Sequence, residues 1–313
     1  MAFLDIGTNS ARLLVVRINP NRSYTVLSEQ KEMVRLGEKE FQDGLLSEEA
    51  MDRTVRVIKN FCDLSRTYGA TEFVAMATSA TREAANRMDL VDRAREVADL
   101  ELQIISGMEE ARLIYLGVSS GHHIGRKTAL FMDIGGGSTE LAVGDQTEYS
   151  YLESLKVGAI RLTSMFVKKP EGAVPDDALG RMRKYVKSSL VRSKREIMQS
   201  KVNLAFGSSG TVVNLSEILL RQDGSSRPGV IRRAQLKKLI PALAGMDLAA
   251  RRRVPGINPE RGTSSWPGRL SWRPSWTSCT STRSRSARGA CGTACSWTTW
   301  EDWRSSRGSA SCP

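Results

Sequence analysis

One short segment occurs twice in the chain: Asp5-Ile6-Gly7-Thr8-Asn9-Ser10 and, 128 residues later, Asp133-Ile134-Gly135-Gly136-Gly137-Ser138-Thr139-Glu140. Apolar runs frame each copy, Ala2 to Ile6 and Ala11 to Ile18 around the first, Ala129 to Ile134 and Glu140 to Val143 around the second. Such runs read as strands joined by a tight turn. The same unit at the head of each half predicts a duplicated α/β fold, two related domains with a cleft between them. A length of 313 residues agrees, since a single hydrophobic core seldom grows beyond roughly 250–300 residues.

The turns also predict a chemistry. Glycine lets the backbone bend sharply and present its N–H groups to an anion, Ser and Thr hydroxyls add donors, and an Asp at a strand end can hold a metal ion or its waters. The pair reads as a clamp on a phosphate chain. Gly7, Thr8, Asn9 and Ser10 form one jaw, and Gly135, Gly136, Gly137, Ser138 and Thr139 the other. Asp5 and Asp133 are the candidate metal ligands. One such turn alone would carry little weight, because glycine also serves hairpins for geometry.

Between the turns, Ser47 to Tyr68 reads as a helix with Glu48 and Glu49 in its first turn and Gly69 as its stop. Phe73 to Ala77 reads as a strand, followed by the turn Thr78 to Arg82 and a helix running to about Ala98. Leu102 to Ile105 is another strand. Ser106-Gly107 then opens a helix bearing Glu109 and Glu110, and Ser119 to Lys127, with His122 and His123, is the expected hinge. In the second half, helices are expected over Asp177 to Ser200 and Thr211 to Leu220, the latter introduced by Gly207-Ser208-Ser209-Gly210. The division is 1–120 for an N-terminal domain and 121–261 for a C-terminal one that is incomplete.

After Arg261 the composition changes. All six tryptophans and thirteen serines lie in 262–313, which contain no Ile, Val, Phe, Met or Lys and one leucine, Leu270. Neither helix nor strand can be patterned from that. Frame-shifted translation accounts for it. Reading Gly262 to Pro267 as GGN-ACN-TCN-TCN-TGG-CCN and dropping two bases gives NAC, NTC, NTC, NTG and GCC, which is one polar residue, three apolar ones and Ala. We therefore expect 262–313 to be an aberrant Ser/Arg/Trp-rich tail. Four of the five cysteines fall there, and Cys291 and Cys295 have neither a second pair nor a nearby His to complete a zinc site.

The net charge is +12, of which the tail holds +5 and the first 261 residues +7. That surplus suits a polyanionic ligand and does not call for nucleic acid. No apolar run is long enough for a membrane span, and the N-terminus lacks the basic and apolar regions of a signal peptide, so a cytoplasmic protein with no membrane partner is expected.

Five motifs together are similar to the exopolyphosphatase and guanosine pentaphosphate phosphohydrolase family, within the actin, sugar kinase and heat-shock ATPase superfold. They are the two turns, Ala77 to Asn86 (ATSATREAAN), Ile105 to Val118 (ISGMEEARLIYLGV) and Gly207 to Thr211 (GSSGT). The likeness spans about 2–261 and resembles the short, two-domain members. It implies an actin-like fold in each half and hydrolysis of terminal phosphates from polyphosphate, or alternatively the 5′-phosphatase of guanosine penta/tetraphosphate.

By the same resemblance Glu110 is the general base, and a helix N-terminus should keep it ionised. Asp133 is the carboxylate associated with Mg2+ or another divalent cation, Glu140 a second acid near the water, and Arg82 a phosphate-binding guanidinium. Gly207, Ser208 and Gly210 close the cleft, and Arg35 is a weaker polyanion guide. A homodimer is compatible with the family. The plainer alternatives are a capping or salt-bridging Glu110, an Arg82 paired with Glu83 or Asp89, a non-catalytic anion sensor, and a sugar kinase of the same superfold.

Overall fold

The computed structural model describes residues 1–38, 40–222 and 228–257. It begins with three antiparallel strands, β1 (Ala2–Ile6), β2 (Ser10–Ile18) and β3 (Tyr24–Met33). The short α1 (Glu40–Asp43) and the long α2 (Glu48–Thr67) follow, then β4 (Phe73–Ala77), α3 (Ser79–Glu83), α4 (Arg87–Ala98) and β5 (Leu102–Ile104). The first sheet has the order β3-β2-β1-β4-β5, with β4 parallel to β1 and β5 parallel to β4.

Helix α5 (Gly107–Gly121) leads to a second set: β6 (Ala129–Ile134), β7 (Thr139–Gly144) and β8 (Tyr149–Leu155). Then come α6 (Ala159–Phe166), α7 (Asp176–Ser189), α8 (Val191–Gln199), β9 (Leu204–Ser208), α9 (Ser209–Gln222), α10 (Arg233–Ala244) and α11 (Leu248–Arg252). The second sheet is β8-β7-β6-β9, with β9 parallel to β6. A hairpin meander followed by a helical crossover to a parallel strand thus occurs twice, and the chain folds as two duplicated α/β units of the actin-like kind.

Local chemistry sets the helix starts. Ser47 accepts from the Ala50 amide at 3.3 Å, and Ser106 caps α5 by accepting from the Glu109 amide at 3.1 Å. Met51, Val55, Ile58, Phe61 and Cys62 turn one face of α2 into the first core beside Leu4, Ile6 and Leu13. The apolar face of α5 goes elsewhere. Tyr115 and Val118 pack with Phe131 and Ala142 of the second sheet, Tyr115 edge-on to Phe131 at 5.2 Å. The helix carrying Glu110 is therefore anchored on the second sheet.

The expected turn Thr78 to Arg82 is largely helical, as α3, and the helix expected after it begins only at Arg87. Asn86 accepts from the Leu46 amide at 2.9 Å and donates to the Leu46 carbonyl at 3.0 Å, and extended backbone at Ala84 separates α3 from α4. The stretch expected from Asp177 to Ser200 breaks at Leu190 into α7 and α8. The expected hinge begins later, because α5 continues to Gly121. Among the described residues no helix is long and apolar enough to cross a membrane. The expected frame-shifted tail lies outside them.

Candidate active site

Both repeated turns sit where a hairpin reverses at the carboxyl end of a strand that pairs with a parallel neighbour. Ligands collect at such strand ends in α/β folds. Each turn is closed by the same bond, Gly7 N–H to the Ser10 carbonyl at 3.1 Å and Gly135 N–H to the Ser138 carbonyl at 3.0 Å.

What lies behind each turn decides what it can bind. In the first, the Asn9 carbonyl accepts from the amides of Val34 and Arg35 and the Thr8 carbonyl from Gly37. In the second, the start of α6 captures three carbonyls in a row: Gly135 accepts from Ala159, Gly136 from Ile160 and Arg161, and Gly137 from Gly158. A planar trans peptide points its N–H opposite its C=O. With the carbonyls held from behind, the amides of Asn9, Gly136, Gly137 and Ser138 point away from those backing segments, and Thr8 adds a fifth amide in the first turn. Among the described residues these five amides donate to no protein acceptor. Converging free amides make an anion nest.

The two turns also touch. A Cβ on Gly136 would lie 3.0 Å from Thr8 Cβ, and one on Gly137 would lie 2.4 Å from Ser79 Oγ and 2.7 Å from Phe41 Cζ. Gly158 is tighter still, since its Cβ would meet the Gly136 oxygen at 2.2 Å. Backbone cannot yield as a side chain does. Gly158→Ala is expected to destabilise the fold by about 2–3 kcal/mol and to weaken tripolyphosphate binding. Gly180→Ala, at an α7 position with nothing within 4 Å, should be neutral or slightly stabilising. Thermal unfolding and titration calorimetry on both variants check this, and equal behaviour would contradict the backing role.

Acidic groups gather beside the nest. Glu110 Oε2 accepts from Arg82 Nη1 at 2.9 Å, and the same guanidinium nitrogen donates to the Ile105 carbonyl at 3.0 Å. Neither Glu83 nor Asp89 is the partner of Arg82. Burial pushes Glu110 up to about 7; Arg82 pulls it down, and the charges of Asp5 and Asp133 add to the rise. The helix N-terminus was expected to keep this group ionised, and desolvation outweighs it. Glu109 turns aside and pairs with Arg112 at 2.9 Å.

Asp5 and Asp133 are also raised by burial, with Arg12 drawing both back. Asp5 keeps solvent-exposed surface although protein surrounds it. Both facts hold together for a residue on a cleft floor. Asp133 accepts from Ser208 Oγ at 2.6 Å, so Ser208 orients this carboxylate, while Ser209 Oγ donates to the Ile134 carbonyl. Gly207 packs against Val212 at the start of α9. Glu140 is buried, accepts from Ser154 Oγ at 2.8 Å, and is raised well above its ordinary range by burial first, then by Glu110 and Asp133. The structure thus gathers Asp5, Arg82, Glu110, Asp133 and Glu140 around the two turns. Among the described residues no three acidic, His or Cys side chains lie close enough to cage a metal ion.

Sequence reasoning missed Arg12, Ser154 and the segment Val157 to Arg161, and named Glu83 only as a partner for Arg82. One of these had a signal. Asp5 pairs across its hairpin with Arg12 as Asp133 pairs with Glu140, so the 128-residue repeat puts a cation and an acid at equivalent positions.

The chain matches the model of the Ppx/GppA phosphatase family over residues 14–271. It is 30% identical to Exopolyphosphatase 1 of Mycobacterium leprae, covering 86% of this chain and 80% of that one. With Exopolyphosphatase 1 of Mycobacterium tuberculosis it shares 29%, over 86% and 79% of the two chains. The crystal structure of an exopolyphosphatase from Cytophaga hutchinsonii superposes with a TM-score of 0.77 at 27% identity, covering 84% of this chain and 86% of that one. That of the Aquifex aeolicus Ppx/GppA family member gives 0.66 at 25%, over 84% and 85%. With a family match across most of its length and a site to accompany it, this chain belongs to the Ppx/GppA phosphatase family.

Proposed function

We propose that the protein is an exopolyphosphatase that releases orthophosphate from the ends of inorganic polyphosphate. The observation that carries this reading is the placement of Glu110, a partly buried carboxylate held by Arg82 in the same cleft as five free amides from two facing turns. The amides hold the terminal phosphates, and Arg82 offers its remaining donors to their oxygens. Glu110 accepts a proton from water as the water oxygen bonds to the terminal phosphorus. The bridging oxygen departs with its electron pair on the shortened chain. Glu140, deeply buried and next to Glu110, is raised well above its ordinary range by burial and by Glu110, which favours its protonated form over its charged one.

A divalent cation fits the donor set. Asp5 and Asp133 are two hard carboxylates whose raised pKa values a cation would relieve, and magnesium commonly binds through one or two carboxylates plus substrate phosphates and waters. Bound there, it would neutralise charge on the transferring phosphate.

The same machinery suits the 5′-phosphate of guanosine pentaphosphate; the relatives named Exopolyphosphatase 1 favour the polyphosphate reading. Orthophosphate release from tripolyphosphate, long-chain polyphosphate and guanosine pentaphosphate, with magnesium present, decides between them. No release from any would sink the reading. A general base must be ionised, so kcat/KM is expected to rise with pH through about 7 and then level. Arg82→Gln removes the cation that lowers Glu110 and should move that rise to higher pH. A profile flat from pH 5 to 9 would count against Glu110 as the base.

A further inference from the structure

Arg161 is a buried cation at the start of α6 that joins the two halves of the molecule. Its Nε donates to the Gly137 carbonyl at 2.7 Å, and its Nη2 pairs with Glu83 Oε1 on α3 of the first half. Its guanidinium lies 4.1 Å from the ring centroid of Phe41, on α1. Glu83 is held from other sides by Lys156 Nζ at 2.8 Å and by Ser79 Oγ at 3.2 Å, three residues before Arg82. Burial would raise Glu83, and Lys156 and Arg161 outweigh it, so the carboxylate stays below its ordinary range and charged. Glu40 is buried beside the cluster, and among the described residues its Oε2 has no hydrogen-bond partner.

We propose that Arg161 is a positioning residue for phosphate hydrolysis, tying the second phosphate turn to Glu83 so that the turn takes its working shape when the halves are closed. Two of its contacts, Glu83 and Phe41, belong to the first half, and one, the Gly137 carbonyl, belongs to the phosphate turn of the second. The peptide whose oxygen it grips is the one that presents the Ser138 amide. Should the halves separate, Arg161 would lose its carboxylate and its aromatic face and remain a desolvated charge with a single backbone partner, an arrangement proteins avoid. Closure and the aim of the Ser138 amide are therefore linked through one side chain. Arginine suits the task because its rigid planar fork holds a carbonyl and a carboxylate in fixed directions, whereas lysine offers a compact point charge on a flexible stem.

The kinetic arm of the test rests on the hydrolase reading above. In the full chain with tripolyphosphate, Arg161→Gln and Glu83→Gln are each expected to lower kcat by about a hundredfold, the usual cost of a small misplacement. KM should change by less than about threefold, because the other amides still hold the substrate chain. The double variant should be no slower than either single one, since both remove one interaction, and Arg161→Lys should recover part of the loss. A second arm needs no turnover. Hydrogen exchange of the backing amides Gly158, Ile160 and Arg161 should quicken in Arg161→Lys and Glu83→Gln alike. Unchanged exchange in both variants, a kcat for Arg161→Gln within about threefold of the parent, or multiplying losses in the double variant would overturn the proposal. If the parent releases no phosphate but the exchange arm behaves as expected, the hydrolase reading fails and the tie stands.

Discussion

Glu110→Gln is expected to abolish turnover while making the fold more stable in alkaline solution. Loss of a general base removes about 10²–10⁴ of the rate, and the neighbouring carboxylates are engaged elsewhere, Glu140 by Ser154 Oγ and Asp133 by Ser208 Oγ. The stability effect follows from linkage. Glu110 ionises near 4.5 in the unfolded chain and near about 7 in the folded one. Between those values the native state binds the extra proton, so the parent's stability falls as pH rises through that window and levels above it. Glutamine mimics the protonated group at every pH. Each pH step of one across that window is worth ~1.4 kcal/mol, so above pH 7 the variant should gain on the order of 3 kcal/mol, and nothing near pH 4. Urea unfolding at pH 5 and pH 8, run beside a phosphate-release assay, reads both halves of the expectation. A variant that retains turnover within a few fold, or that is weaker than the parent at pH 8, would remove Glu110 from its role.

That trade of stability for chemistry was only partly legible in the sequence. The paired turns, the helix starts near Ser47 and Ser106 and strand β4 follow from local patterns, and the structure places them there to within a residue. Strands β3 and β8 gave no comparable signal, because each is a sheet edge and carries polar or exposed residues along much of its length. The ionisation of Glu110 was misjudged for a related reason. A helix terminus is visible locally, whereas burial and the charges of Arg82, Asp5 and Asp133 come from the tertiary structure and distant parts of the chain. Arg161 carried no signal in the sequence; only the tertiary structure sets it against Gly137, Glu83 and Phe41.

The second large effect concerns the reading frame. We propose that 262–313 are translated out of frame, and that restoring the frame after Arg261 raises soluble yield and thermal stability. The first sheet has five strands, whereas the second has four among the described residues. In the first unit β4 is flanked on its far side by β5, and Val74, Ala75 and Ala77 are buried. Its counterpart β9 has no described neighbour beyond it, and Leu204, Ala205 and Phe206 are only half-buried. The strand that would cover β9 should follow α9 to α11 as β5 follows α3 and α4. At that point the shifted codons of Gly262 to Pro267 yield one polar residue, three apolar ones and Ala. Burying each large apolar side chain contributes about 1.5–3 kcal/mol, so completing this edge should add several kcal/mol. It would also cover an open strand edge that invites aggregation. Sequencing across the Arg261 codon tests the premise, and the soluble fraction and melting temperature of the two translation products test the consequence. Equal yield, stability and phosphate release from both would show that the second unit needs no further strand.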